Sequence, residues 1–103
     1  MKTGSRVLGD RGGEPLELVL YTRARCPLCD AMKSEIARAG LGSRCVVRGV
    51  DIDTDPVLRE RFGRSIPVLE IAGRVAFEGR LVAADLARAV ERALHEREPA
   101  REG

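Results

Sequence analysis

Apolar positions fall in short runs separated by polar turns, and their order predicts most of the architecture. Leu16 to Thr22, read Leu-Glu-Leu-Val-Leu-Tyr-Thr, carries one charge near its start and suits a strand buried on both faces. Cys29, Met32 and Ile36 recur at spacings of three and four, which puts them on one inward face of a helix. Pro27 fits its first turn, Asp30 early and Lys33 and Arg38 late complement its dipole, and Gly40 is the expected stop. Cys45 to Ile52 reads as a second strand. Asp55 as N-cap and Pro56 at the first helical position open a short helix, on which Leu58 and Phe62 share a face and which Gly63 ends. Ile66 to Ile71 and Arg74 to Phe77 read as strands joined at Gly73 into a hairpin. Ala83 to Arg97 forms a final amphipathic helix with Leu86, Val90, Ala93 and Leu94 inward.

The order β-α-β-α-β-β-α predicts an α/β fold. A right-handed crossover makes the first two strands parallel neighbours, and the hairpin adds antiparallel strands to the same sheet, giving four strands flanked by helices. Residues 1–15, with Gly4, Gly9, Gly12 and Gly13 among charges and no period, read as a flexible leader. Residues 16–97 make the domain, and 98–103 a polar tail.

Composition narrows the function. The chain has 103 residues, 44% of them hydrophobic, enough for one domain with a modest core. No apolar run approaches the ~18 residues of a membrane span. The N-terminal sequence lacks a signal peptide's apolar region, so the cytoplasm is the expected compartment. Eighteen basic and sixteen acidic residues interleave to a net +2, and Tyr21, Phe62 and Phe77 are the only aromatics. With neither a basic block nor stacking surfaces, nucleic acid is not an expected partner.

The chemistry resides in Arg25-Cys26-Pro27-Leu28-Cys29, between the first strand and the first helix. A permanent structural disulfide is not expected in the cytoplasm, so a CxxC pair there is redox-active or metal-binding. A cysteine opening a helix faces free backbone N–H groups and a partial positive charge, which favour thiolate over thiol. Zinc wants four ligands, and beyond this pair the chain offers Cys45 in a strand and His95 in the last helix, neither at knuckle spacing. Cys45 reads as a small apolar residue and His95 as surface. Asp51-x-Asp53-x-Asp55 resembles a calcium loop, but Pro56 replaces the turn glycine and Phe62 the closing Glu. No metal site is therefore expected.

Taken together, these features resemble the thioredoxin-fold superfamily and, within it, a glutaredoxin-like protein. The resemblance covers about Leu16 to Leu94. It rests on Tyr21-Thr22-Arg23-Ala24-Arg25-Cys26-Pro27-Leu28-Cys29 after the first strand, Asp51-Ile52-Asp53 at the end of the second, Ser65-Ile66-Pro67-Val68 opening the third, and the hairpin with its final helix. It implies a thiol–disulfide oxidoreductase in which Cys26 is the nucleophile and Cys29 the resolving thiol. Pro67 would be a cis-proline packed against the CxxC, and Ile66 would offer backbone groups to substrate. Pro27 and Leu28 would line the substrate surface, and Arg23 falls where glutaredoxins often place a lysine that meets a glutathione carboxylate. The implied substrates are protein disulfides or small thiols, with an external reductant, no cofactor beyond the redox disulfide, and a monomeric state. The sequence departs from the family in Phe77-Glu78-Gly79-Arg80-Leu81, where Leu81 offers no acceptor to the ammonium of a γ-glutamyl group. It also lacks the buried Asp of thioredoxins on the preceding strand and the tryptophan before their motif. Two rival readings are a non-catalytic binding module of the same fold and a carrier of metal or of an iron–sulfur cluster shared between two copies.

Overall fold

In the computed structural model, which describes residues 14–97, the apolar run Leu16–Thr22 is an interior strand, β1. The other elements are α1 (Pro27–Arg38), β2 (Cys45–Asp51), α2 (Pro56–Phe62), β3 (Val68–Ile71), β4 (Arg74–Glu78) and α3 (Ala83–Arg97). Most of the leader expected over 1–15, and all of the tail over 98–103, lie outside the described residues. The sheet runs β2-β1-β3-β4. β1 and β2 are parallel, from Leu16 opposite Cys45 to Thr22 opposite Asp51. β3 is antiparallel to β1, with Tyr21 opposite Val68, and β4 returns antiparallel to β3 with Val68 opposite Glu78. The mixed α/β sheet expected from the pattern is therefore the one observed.

Period-two alternation divides β1 between two cores. Leu16, Leu18 and Leu20 pack with Met32 and Ile36 of α1, Leu69 and Ile71 of β3, and Leu86 and Val90 of α3. On the opposite face, Tyr21 joins Ile52, Phe62 and Val68 under α2. The two long helices are tied where the second begins: Glu35 Oε1 accepts a hydrogen bond from the Ala83 N–H at 2.9 Å. A carboxylate at that end suits both the orphan donors and the dipole of α3.

The structure shifts several boundaries, each for a visible reason. The second strand stops at Asp51 rather than Ile52, because Asp51 Oδ1 accepts from the Asp53 N–H at 2.9 Å and starts a 3-10 turn over Ile52–Thr54. Ile66 and Pro67 stand before the third strand, not within it. The Ile66 N–H donates to Phe62 O at 3.1 Å, and Pro67 has no N–H for a ladder. The last strand extends one residue further, to Glu78. The first helix ends at Arg38, and Gly40 turns beyond it at φ +63°. Asp55 caps α2 as expected, its Oδ1 accepting from the Val57 N–H at 2.9 Å. The hairpin turns on Ala72 and Gly73, at φ +51° and +84°, as a two-residue loop between right-twisted strands requires. No helix among the described residues is long and apolar enough to cross a membrane.

Candidate active site

The end of β1 delivers the chain to a short turn, Ala24-Arg25, and then to Cys26. Arg25 adopts φ +57°, a left-handed conformation that costs a non-glycine residue of order 1 kcal/mol or more and is a common mark of functional loops. The reversal leaves Cys26 extended (φ −117°, ψ 100°) as the N-cap of α1, with Pro27 at the first helical position. There the Cys29 N–H donates to Cys26 Sγ at 3.1 Å, and the Asp30 N–H to Cys26 O at 3.1 Å. The first sulfur thus accepts a bond from one of the helix's orphan donors, a position usually given to a serine or aspartate oxygen.

Cys26 and Cys29 are joined as a disulfide, with Cα atoms 5.1 Å apart. Their surroundings differ. Cys26 is half-buried at the surface, whereas Cys29, on the inward stripe with Met32 and Ile36, is 1% exposed. Leu28 between them is 41% exposed. A pocket of about 190 Å³ opens beside Leu28, floored by Met32 and closed by Gly79 to Val82.

Antiparallel pairing brings the opposite wall to the same end of the sheet. β3 begins where β1 ends, and β4 ends there too. The Ile66–Pro67 peptide bond is cis, Pro67 is buried, and its carbonyl accepts from the Gly79 N–H at 2.7 Å. Cys26, Pro27, Leu28, Cys29, Ile66 and Pro67 therefore gather at one end of the sheet, together with the loop after β4 that carries Arg80 and Leu81. Leu81 points inward and is buried.

Arg23 reaches this end as well, but its guanidinium is engaged. Nη2 donates to Asp53 Oδ1 at 2.9 Å and Nε to Asp53 Oδ2 at 3.3 Å, a bidentate pair. The hydrogen bond from Arg23 holds the Asp53 carboxyl below its usual range, and Asp53 in turn raises Arg23. Cys45 lies at the far pole. It pairs with Leu16 at the start of β1, about 20 Å from the end of the strand that leads to Cys26. It is half-buried rather than fully enclosed, and burial pushes its thiol up toward the neutral form. His95 is exposed. Among the described residues, no three His, Cys, Asp or Glu side chains gather where they could hold a metal ion.

One cluster escapes a sequence reading. Glu70, in the middle of β3, is 8% exposed and accepts from the Tyr21 hydroxyl at 3.0 Å, with Arg61 Nη2 at 4.0 Å. Tyr21 stacks on Phe62 at 4.4 Å between centroids, and Arg61 lies over the same Phe62 ring. Burial first, then the bond to Glu70, raises the Tyr21 hydroxyl above its ordinary value. A lone acid in the apolar run Val68-Leu69-Glu70-Ile71 was the available signal. This cluster braces the end of β1 against α2, just before the turn that presents Cys26.

Comparison with known proteins places these features in context. The family model described as a glutaredoxin-like domain (DUF836) matches residues 17–91. Among solved structures, the chain is similar to protein XcR50 from X. campestris, at 32% identity and a TM-score of 0.64 over 73% of this chain and 96% of that one. It also resembles chloroplastic thioredoxin z (22% identity, TM-score 0.66, 82% of each chain). A third likeness is to a mutant thioredoxin from Halobacterium salinarum (19% identity, TM-score 0.59, 77% of this chain and 74% of that one). The latter two likenesses, at low identity, are likenesses of fold. Comparison with curated proteins gave no match.

Proposed function

The chain belongs to the glutaredoxin-like domain family, and from that premise we propose that it is a dithiol thiol–disulfide oxidoreductase, with Cys26 as nucleophile and Cys29 as resolving thiol. The observation that carries this reading is the asymmetry of the pair. Cys26 Sγ caps a helix and accepts the Cys29 N–H at 3.1 Å, while Cys29 itself is buried beneath it. In the reduced protein this favours negative charge on the outer sulfur.

The Cys26 thiolate attacks one sulfur of a substrate disulfide. A Cys26–substrate bond forms, the other substrate sulfur leaves as thiolate, and solvent protonates it. Cys29 then loses its proton and attacks Cys26 Sγ, releasing the second substrate thiol and closing the intramolecular disulfide. Two electrons have passed from the protein to the substrate, and an external thiol reductant must return them. Pro27, Leu28 and Ile66 form the surface that receives the substrate, with Pro67 buried beneath it and Arg23 at its margin. The substrates are disulfide-bonded proteins or low-molecular-weight disulfides. The protein works as a cytoplasmic monomer, with its own disulfide as the only redox group.

The test is the reduction potential of the pair, taken from the oxidised fraction in graded thiol/disulfide buffers after alkylation and mass spectrometry. A midpoint between about −180 and −270 mV is expected, the range of working redoxins. A pair that never closes, or that stays oxidised to far below about −300 mV, would sink the exchange mechanism and favour a non-catalytic binding module.

A further inference from the structure

We infer that Asp53 sets substrate choice at the redox site: it occupies the Arg23 guanidinium as an internal carboxylate and so disfavours disulfides that present a carboxylate there. The inference rests on the exchange reaction proposed above. Arg23 and Cys26 bracket the two-residue turn Ala24-Arg25, and the ends of such a turn lie within about 7 Å of each other at Cα. A guanidinium fork is therefore rooted beside the nucleophile. Forks of this kind bind carboxylates through two parallel N–H···O bonds, and here both go to Asp53.

Asp53 is prepared for that contact. It stands in the 3-10 turn that follows β2, its N–H donates to Asp51 Oδ1, and its carbonyl accepts from Arg59 Nη1 at 3.4 Å. A carboxylate held within the molecule competes at an effective concentration of roughly millimolar or above, so a dilute substrate carboxylate must displace it to reach the fork. The pair is also open to exchange, since the side chains of Arg23 and Asp53 are 34% and 44% exposed. An exposed pair of this kind is weak, so removing Asp53 should alter selectivity by a modest, measurable factor. A purely structural tether between the active-site loop and the β2–α2 connection would instead affect all disulfides alike.

The experiment compares single-turnover oxidation of the pre-reduced protein by glutathione disulfide, which bears carboxylates, and by bis(2-hydroxyethyl) disulfide, which is neutral. The readout is the ratio of the two second-order rate constants. Asp53→Asn is expected to raise the ratio about two- to fivefold, and Asp53→Ala, which removes the same carboxylate, to do likewise. The rise should shrink in high salt and vanish in Asp53→Asn/Arg23→Gln. A flat or lowered ratio in an active protein, or a rise that survives loss of Arg23, overturns the inference alone. Failure of the wild-type protein to react with either disulfide overturns the exchange reading, and this inference with it.

Discussion

Replacing Cys26 with serine is expected to lower the rate of disulfide reduction by roughly 10³-fold or more, whereas Cys29→Ser should stop the reaction halfway. The first result follows because a hydroxyl at the head of α1 is neither ionised at neutral pH nor a competent nucleophile toward sulfur. The second follows from burial. Cys29 cannot meet substrate directly, but it faces Cys26 Sγ, and without it the mixed disulfide has no internal route to resolution. Mass spectrometry of Cys29→Ser after one turnover should find one substrate half attached, on the peptide containing Cys26. Attachment at Cys45, or turnover by Cys26→Ser at the wild-type rate, would contradict the assignment. If the wild-type protein turns nothing over while Cys26→Ser still retains a partner, the site is a binding surface.

Leu86→Ala is expected to cost about 2–5 kcal/mol of folding stability. Leu86 is 0% exposed and fastens α3 to the face of the sheet formed by Leu16, Leu18, Leu20 and Leu69. Shortening it removes apolar contact and leaves a cavity that the surrounding packing relaxes only partly. A domain of this size is stable by about 5–15 kcal/mol, so the loss takes a large share of the total. At about 4–8 °C per kcal/mol, the melting temperature should fall by about 8 °C or more. Leu28→Ala, at an exposed position of the same residue type, is the control and should change stability little. Urea unfolding with an unchanged slope for both variants would check this. Equal losses at the two positions would mean that α3 does not anchor the core.

The legible parts of the molecule are those specified within one turn of chain. β1 coincides with the expected Leu16 to Thr22, and α3 with Ala83 to Arg97, because an apolar run and a 3.6-residue stripe are local patterns. Pro27 and Pro56 mark both helix starts, and Asp55 caps as expected. The cis bond before Pro67 was legible through the family resemblance rather than through spacing alone. What escaped depends on particular hydrogen-bond partners, several of them distant in sequence. Ile66 and Pro67 leave the strand pattern because Phe62 and Gly79 take their backbone groups. The partner that Arg23 finds within the molecule, Asp53, comes from the 3-10 turn after β2, 30 residues on. Glu70 is a lone acid in an apolar run, and the hydroxyl that satisfies it in the interior belongs to Tyr21, from the other half of the chain.

The interior position of β1 also governs how the molecule assembles. Its two neighbours come from segments about 30 and 50 residues later in the chain, since Leu16 meets Cys45 and Leu18 meets Ile71. Both loops must close before the strand gains its full set of backbone partners, and until then the helix bearing the thiols has only part of the surface it packs against. Local structure can form early, but it gains little until the hairpin docks. The expected outcome is a single all-or-none transition, with equal calorimetric and van't Hoff enthalpies. A separate early melting of the β1-α1-β2 unit would show that it stands alone. On this account the helix bearing Cys26 and Cys29 and the cis-proline at the same end of the sheet, far apart in the gene, come into being as one cooperative object.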